Sequence, residues 1–333
     1  MEYKKFKAMV VRETADQTFV RSVEDKNIDE LPDGEVLIKV SYSSLNYKDA
    51  LSATGNKGVT RSYPHTPGID AAGIVESSVD KSFKPGDRVL VTGYDLGMNT
   101  SGGFGQYIRV PSEWIIRLPD HLTARESMIY GTAGFTAALS VHKMIENGVS
   151  PDQGPVLVTG ATGGVGSIAV GILSKAGFEV AAVTGKSDQS QYLTDLGATR
   201  IIHRKEVHDV SGRPLLKGQW AGVIDTVGGD ILSTAIRSTL YGATITCCGN
   251  VASPALNITV FPFILRGVSL LGIDSVNCRK PLRQTLWGNL SNEWKISHLD
   301  DMATEISISE LEPYIGRILK GMITGRTVVN LSV

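Results

Sequence analysis

Cysteine is scarce in this chain. Only Cys247, Cys248 and Cys278 occur in 333 residues, two of them adjacent, with no Cys-x-x-Cys. That excludes a disulfide framework and a cysteine zinc site, and it fits a reduced, cytoplasmic setting. Neither sign of charge is in excess: 33 Lys+Arg stand against 34 Asp+Glu, a net of −1. There is no broad basic field for nucleic acid or anionic lipid. No run approaches the ~18 apolar residues of a membrane span. The opening MEYKKFKAMVVRE carries charged clusters and lacks the apolar stretch of a signal peptide. The six histidines, at 65, 121, 142, 203, 208 and 298, share no ligand spacing, so no metal is expected.

What is present is the composition of a soluble globular protein, 42% hydrophobic and 20% charged. At roughly 100–200 residues per domain, the length predicts two domains. Residues 1–123 read as short strands broken by Gly and Pro, as in GEVLIKVSYSSL (34–45), GIDAAGIVESS (68–78), DRVLVTG (87–93) and GQYIRVP (105–111). Turn signals at about ten-residue spacing predict an antiparallel, partly closed β domain. From 124 the texture changes to a helix over 124–144 and then repeated βα units. The strands are PVLVTG (155–160), EVAAVTG (179–185), TRIIH (199–203), GVIDTVGG (222–229), ATITCCG (243–249) and VSLLGIDSV (268–276). Near-continuous apolar strands alternating with helices predict a doubly wound, parallel six-stranded Rossmann sheet over 124–302. A helix over 309–321 and a terminal strand, GRTVVNLSV, predict that 303–333 rejoins the first domain.

The segment Gly160-Ala161-Thr162-Gly163-Gly164-Val165-Gly166 follows an apolar strand and opens a helix. Glycines there allow a tight turn and close approach to a pyrophosphate, and the helix N-terminus supplies free N–H groups. The competing explanation is helix–sheet packing alone. NAD enzymes usually carry an acid at the end of the second strand for the ribose 2′-OH. Here that strand ends Thr184-Gly185-Lys186-Ser187, and Arg204 follows the third strand. Hydroxyls and cations suit a 2′-phosphate, so NADPH is the expected cofactor. Asp188 lies too late for the ribose and suits a helix N-cap or first turn. Asn250 and Ser275 end the fifth and sixth strands, at the carboxyl edge where a dinucleotide lies.

PGID (67–70), PGDRV (85–89), GTAGFTA (131–137) and GATGGVG (160–166) resemble the medium-chain dehydrogenase/reductase superfamily over nearly the whole chain. Its zinc members would place a Cys near 46, a His-Glu pair near 69–70 and a cysteine-rich lobe near 95–110. This chain has Asn46 and Ile69-Asp70, and no cysteine in the lobe, which implies a zinc-independent reductase with a GroES-like first domain. SSLNYKDALSATG (43–55), MIYGTAGFTA (128–137), DTVGG (225–229), FPFILRGVSLLGIDSV (261–276) and GRTVV (325–329) are similar to the quinone-oxidoreductase-like YhdH/YhfP group, which includes the acryloyl-CoA reductase AcuI. That resemblance implies NADPH-dependent reduction of an activated C=C bond, acryloyl-CoA to propanoyl-CoA foremost, in a homodimer. The alternatives are a quinone or enone reductase and a non-catalytic NADPH-binding sensor.

The resemblance also places the cluster Asn46-Tyr47-Lys48-Asp49 by the nicotinamide. Tyr47 is the expected nicotinamide or substrate contact and proton donor, or else an aromatic anchor of its loop. Asn46 and Asp49 orient the substrate or Tyr47, or make local turn bonds. Arg326 returns toward the cleft as an anion-binding or site-ordering group, or forms an ordinary ion pair. For the phosphates of CoA the cationic candidates are Lys57 and Arg61, and Arg279 with Lys280 and Arg283. Arg266 suits a helix end or a partner subunit. His65, near the PGID turn, reads as a surface-loop residue or one edging the cleft, and Cys247-Cys248 as strand core.

Overall fold

A computed structural model describes residues 4–332. The chain divides into two compact units. Unit 1 is Met1–Thr132, Val276–Ser291 and His298–Val333; unit 2 is Ala133–Ser275 and Asn292–Ser297. Three segments fall differently from the expectation: residues 124–132, 276–291 and 298–302 belong to the first unit. The reason for the second is visible in Arg283, fully buried and donating from Nη1 to the Thr92 carbonyl at 2.8 Å.

In chain order, the elements begin with β1 (Lys5–Glu13), β2 (Phe19–Asn27), β3 (Val36–Ser44), α1 (Tyr47–Ala53), β4 (Asp70–Ser78), β5 (Arg88–Thr92), β6 (Tyr107–Val110) and β7 (Ile116–Arg117). Then come α2 (Ala124–Glu146), β8 (Val156–Val158), α3 (Gly164–Lys175), β9 (Val180–Thr184), α4 (Ser190–Asp195), β10 (Arg200–His203), β11 (Trp220–Asp225), α5 (Gly229–Arg237), β12 (Thr239–Cys247), α6 (Phe261–Arg266) and β13 (Ser269–Gly272). The chain closes with α7 (Lys280–Ser291), β14 (Ala303–Ser307), α8 (Leu311–Leu319) and β15 (Arg326–Asn330).

In unit 1, β1 and β2 form an antiparallel hairpin. The main sheet runs β14-β15-β3-β4-β5-β7, with β6 also pairing β3. The final strand β15 joins β3 antiparallel through Val328–Asn330, so the C-terminal segment does rejoin the first domain. The alternating strand faces bury Val36, Ile38 and Val40 of β3 against Val75, Val89, Val91 and Ile108. In unit 2 the order is β10-β9-β8-β11-β12-β13, all parallel, the doubly wound order that reverses beside β8. Its inner strands β8, β9 and β11 are buried on both faces, as their near-continuous apolar sequences require.

Three elements lie outside the sequence expectations: α1, where a loop carrying polar residues was expected, the short α6, and β14. The long helix α2 is not continuous either. It breaks at Gly131, whose φ of 50° and ψ of −155° are non-helical. Among the described residues, no helix is long and apolar enough to cross a membrane.

Candidate active site and dinucleotide cradle

Because every strand of the unit 2 sheet is parallel, all six carboxyl ends share one edge. At β8 the chain turns through Gly160, in the left-handed region at φ 61°, and enters α3 with Gly163 as its N-cap. Gly166 lies so close beneath that a Cβ there would come within 2.3 Å of the Gly160 carbonyl oxygen. Gly163, Gly164 and Val165 form the half-exposed lip of the turn, over the first helical N–H groups, which have no partner within the helix. This cradle fits a pyrophosphate.

Next along the edge, Thr162 and Thr184 face each other at 3.2 Å between hydroxyl oxygens. The Lys186 N–H donates to Thr184 Oγ1 at 3.0 Å. The side chain of Arg204 lies against Gly185, where a Cβ would come 2.8 Å from its Nε. Thr184, Gly185, Lys186 and Arg204 thus meet at the ends of β9 and β10. Burial lowers the Lys186 ammonium pKa, while Asp188 opposes the shift. Asp188 stands in a 3-10 turn over Ser187–Gln189, a first-turn role. On the other side of β8, Asp225 accepts from Thr159 Oγ1 (2.7 Å) and the Gly228 N–H (2.8 Å); burial raises its pKa. Sequence reasoning passed over Asp225, which stitches the ends of β8 and β11 together. Asn250 is exposed just beyond β12, next to Gly228, and Ser275 Oγ accepts from Thr136 at 2.9 Å.

In unit 1 the expected polar cluster is real, and it is organised around a residue not singled out, Asp70. Asp70 Oδ2 accepts from Ser44 Oγ at 2.6 Å and from Asn46 Nδ2 at 2.7 Å. Its Oδ1 accepts from Thr132 Oγ1 at 2.6 Å, and the Thr132 N–H donates to both oxygens. Arg326 is 3% exposed and donates from Nε to the Ile129 carbonyl at 2.8 Å and from Nη2 to Ser44 Oγ at 2.9 Å and Asn46 Oδ1 at 3.3 Å. These bonds tie Arg326 to the residues that bind Asp70.

Asn46 precedes the first turn of α1, and the Asp49 carboxylate accepts its backbone N–H at 2.7 Å. Of the two roles expected for Asp49, these bonds are the local turn bonds. Asp49 is fully buried, and its partners are Asn46 and the Ile69 N–H at 2.8 Å. Burial, reinforced by Asp70, pushes its pKa up to about 7. Tyr47 is 38% exposed and Lys48 half-buried, while Asn46 and Asp49 are buried.

Other expectations change as well. Arg283 is no phosphate ligand: it is sealed in the interior on Thr92 and Val276, with its guanidinium 4.6 Å from the Tyr94 ring centre. Lys57 is engaged by Glu13 at 2.6 Å and lies over the Phe19 and Tyr63 rings, while Arg61 and Arg279 are exposed. Lys280 donates to the Ser112 carbonyl and lines a cavity of about 520 Å³ with Phe83, Arg117, Gln284 and Trp287, which shares no residue with the Asp70 cluster. His65 is not a surface residue; it is 7% exposed, bonded through Nε2 to the Gly97 carbonyl, and burial lowers its pKa. Arg266 does serve a helix end, donating to the carbonyl of Arg237, the last residue of α5. Cys248 lies just past β12 rather than in the strand. Burial pushes its thiol up to about 12 and raises that of Cys247, which leaves both protonated near neutrality.

Among the described residues no group of three His, Cys, Asp or Glu is placed to hold a metal ion. Asn46 and Asp70, where zinc relatives would carry ligands, are bonded to each other. The donor set does not fit zinc.

Residues 32–120 match the family model of the alcohol dehydrogenase GroES-like domain, and residues 164–292 match that of zinc-binding dehydrogenases. The quinone oxidoreductase candidate YhfP of Bacillus subtilis is 45% identical over 98% of this chain and 99% of its own. A crystal structure of Bacillus subtilis yhfP with NAD bound aligns with a TM-score of 0.96 at 44% identity, covering 98% of this chain and all of that one. The acrylyl-CoA reductase AcuI of Ruegeria pomeroyi is 43% identical over 98% and 99% of the two chains. The yhdH oxidoreductase of Salmonella enterica in complex with NADP aligns with a TM-score of 0.95 at 41% identity, covering 98% and 100%. Full-length identity at this level places the chain in the medium-chain dehydrogenase/reductase superfamily, in the quinone-oxidoreductase-like group to which YhdH, YhfP and AcuI belong.

Proposed function

We propose that this protein is a zinc-independent, NADPH-dependent reductase of an activated carbon–carbon double bond, with acryloyl-CoA as substrate and propanoyl-CoA as product. The observation that carries the cofactor is the edge formed by the Gly160–Gly166 turn and the Thr184–Lys186–Arg204 group, where β9 ends in Thr184 rather than an acid. The full-length likeness to a protein named acrylyl-CoA reductase supports the substrate.

NADPH supplies a hydride when bound; reduction of an enoyl thioester places it on the β-carbon and a proton on the α-carbon. The N–H groups opening α3, at Gly164 and Val165, receive the pyrophosphate, with Thr162 and Gly163 shaping the turn. Lys186 and Arg204 pair with the 2′-phosphate, the fork of Arg204 being suited to bidentate bonding. Tyr47 holds a proton on its phenol oxygen for the product. Asn46 and Asp49 fix the turn from which Tyr47 projects, and Arg326 orders that turn from the final strand. Asn250 and Ser275 lie on the same sheet edge and border the cofactor. Exposed Arg61 and Arg279 are the remaining cations for the phosphates of CoA; Lys57 would first have to leave Glu13.

A quinone or enone reductase is the second reading, favoured by the full-length likeness to YhfP. Both readings are tested by NADPH oxidation with acryloyl-CoA, crotonyl-CoA and a simple benzoquinone side by side. A kcat/KM for acryloyl-CoA about tenfold above the others, some 1.4 kcal/mol of transition-state discrimination, is expected. A benzoquinone in front assigns the second reading. Tyr47→Phe is expected to lower kcat, and an unchanged kcat removes Tyr47 as the acid.

The protein is further proposed to be a cytoplasmic homodimer. On α6, Phe261, Ile264 and Leu265 are 45%, 70% and 56% exposed, just ahead of β13, the terminal strand of its sheet. A monomeric mass in solution would remove this assignment.

A further inference from the structure

We propose that Thr132 is a positioning residue for this reaction, acting through Asp70 to hold the Asn46–Tyr47 turn; the role in turnover rests on the reductase reading above. Helix α2 gives up its continuity at Gly131, and such a break costs backbone hydrogen bonds unless other groups replace them. In an unbroken helix the Thr132 N–H would point along the axis to the carbonyl four residues back. Here it donates to Asp70 Oδ1 at 3.0 Å and Oδ2 at 2.9 Å, and the Thr132 hydroxyl donates to Oδ1 at 2.6 Å. Oδ1 therefore receives both of its hydrogen bonds from Thr132, whereas Oδ2 is shared with Ser44 and Asn46.

The fit at the break is close. A Cβ on residue 131 would lie 2.5 Å from Asp70 Oδ2, 2.6 Å from Ser44 Oγ and 3.0 Å from Arg326 Nη2. With φ at 50°, Gly131 both adopts the break and leaves room for the carboxylate behind it. Asp70 is thus gripped from one side by Thr132 and presents its other oxygen to Asn46 Nδ2 on the far side. A buried carboxylate that loses a donor shifts toward those that remain, so the Asn46 amide and the first turn of α1 move with it. Ser44, Asn46, Asp49, Asp70 and Arg326 are each at most 8% exposed, and Tyr47, the residue after Asn46, is exposed. Thr132 is therefore coupled to turnover through geometry, without serving as proton donor or cofactor ligand.

The test compares Thr132→Val and Thr132→Ala, which remove the hydroxyl, with Thr132→Ser, which keeps it, in the full-length protein. Two readouts are taken: steady-state kinetics with NADPH and acryloyl-CoA, and amide hydrogen exchange of peptides spanning 44–53. Val and Ala are expected to lower kcat about tenfold, the worth of one hydrogen bond to a charged group, with KM for NADPH within about twofold of wild type. They are also expected to speed exchange across 44–53 several-fold, and Ser is expected to restore both. Wild-type exchange and kcat in Val and Ala would overturn the proposal, as would a loss in Ser equal to that in Val. If the wild-type protein reduces none of the acceptors, the reductase reading falls, and exchange alone decides whether Thr132 holds the turn: rates unchanged in Val and Ala overturn it.

Discussion

Asn46 Nδ2 lies 2.7 Å from Asp70 Oδ2, and the same amide reaches Asp49 Oδ2 at 3.2 Å, so one buried side chain separates two buried carboxylates. Removing it leaves both short of a donor. Asn46→Ala is expected to cost about 1–3 kcal/mol of stability, read as a lower urea midpoint at unchanged slope. An unaltered midpoint would mean that water satisfies the carboxylates and the amide is dispensable.

Asp49 gives stability a pH dependence of unusual sign for a carboxyl group. Its folded pKa is raised to about 7, by burial first and Asp70 second, so the native state holds a proton that the unfolded chain has released. Stability from this group is full below the ordinary carboxylate range and is lost as pH rises through about 7. Asp49→Asn is expected to be weaker overall, because an amide cannot accept at both oxygens, but to lack this decline. Urea melts across the window decide it, and equal slopes in the two proteins would place the Asp49 titration elsewhere.

In the cradle, Gly166→Ala sets a methyl 2.3 Å from the Gly160 carbonyl, against backbone that cannot step aside. The turn must open. NADPH Kd is expected to rise about tenfold or more, some 1.4 kcal/mol, with far-UV dichroism unchanged. Fluorescence titration measures it, and an unchanged Kd would separate this turn from the cofactor.

Arg204→Ala and Lys186→Ala test the choice between the two nicotinamide cofactors. Each is expected to weaken NADPH roughly 10- to 100-fold, as for a lost hydrogen bond between charged groups, and to leave NADH within about twofold. Equal losses for both cofactors would move the 2′-phosphate away from this group.

The parts legible in the sequence are those governed by near neighbours. The βα alternation, the parallel sheet and the glycine turn follow from periodicity and turn chemistry within a few residues. Thr184, Lys186 and Arg204 follow from it too, because strands ending on one edge bring their next residues together. Where local pattern is weak, elements escaped notice. β14 has a largely exposed sequence, ATEIS, with little alternation, and α6 is one short apolar run. The break in α2 was hidden because GTAG sits inside an otherwise apolar helical pattern.

The sequence by itself determined the fold class, the cofactor cradle and the residues Asn46, Tyr47 and Asp49 as a motif, since each is written in contiguous residues. Tertiary structure alone decided what those residues do. Asp70 meets Asn46 across 24 positions, Ser44 across 26 and Thr132 across 62, and Arg326 reaches Ser44 across 282. Burial likewise withdrew Arg283 and Asp49 from contact with any ligand. A hydrogen bond acts over about 3 Å of space whatever the separation along the chain, so its partners become known only when the chain has folded.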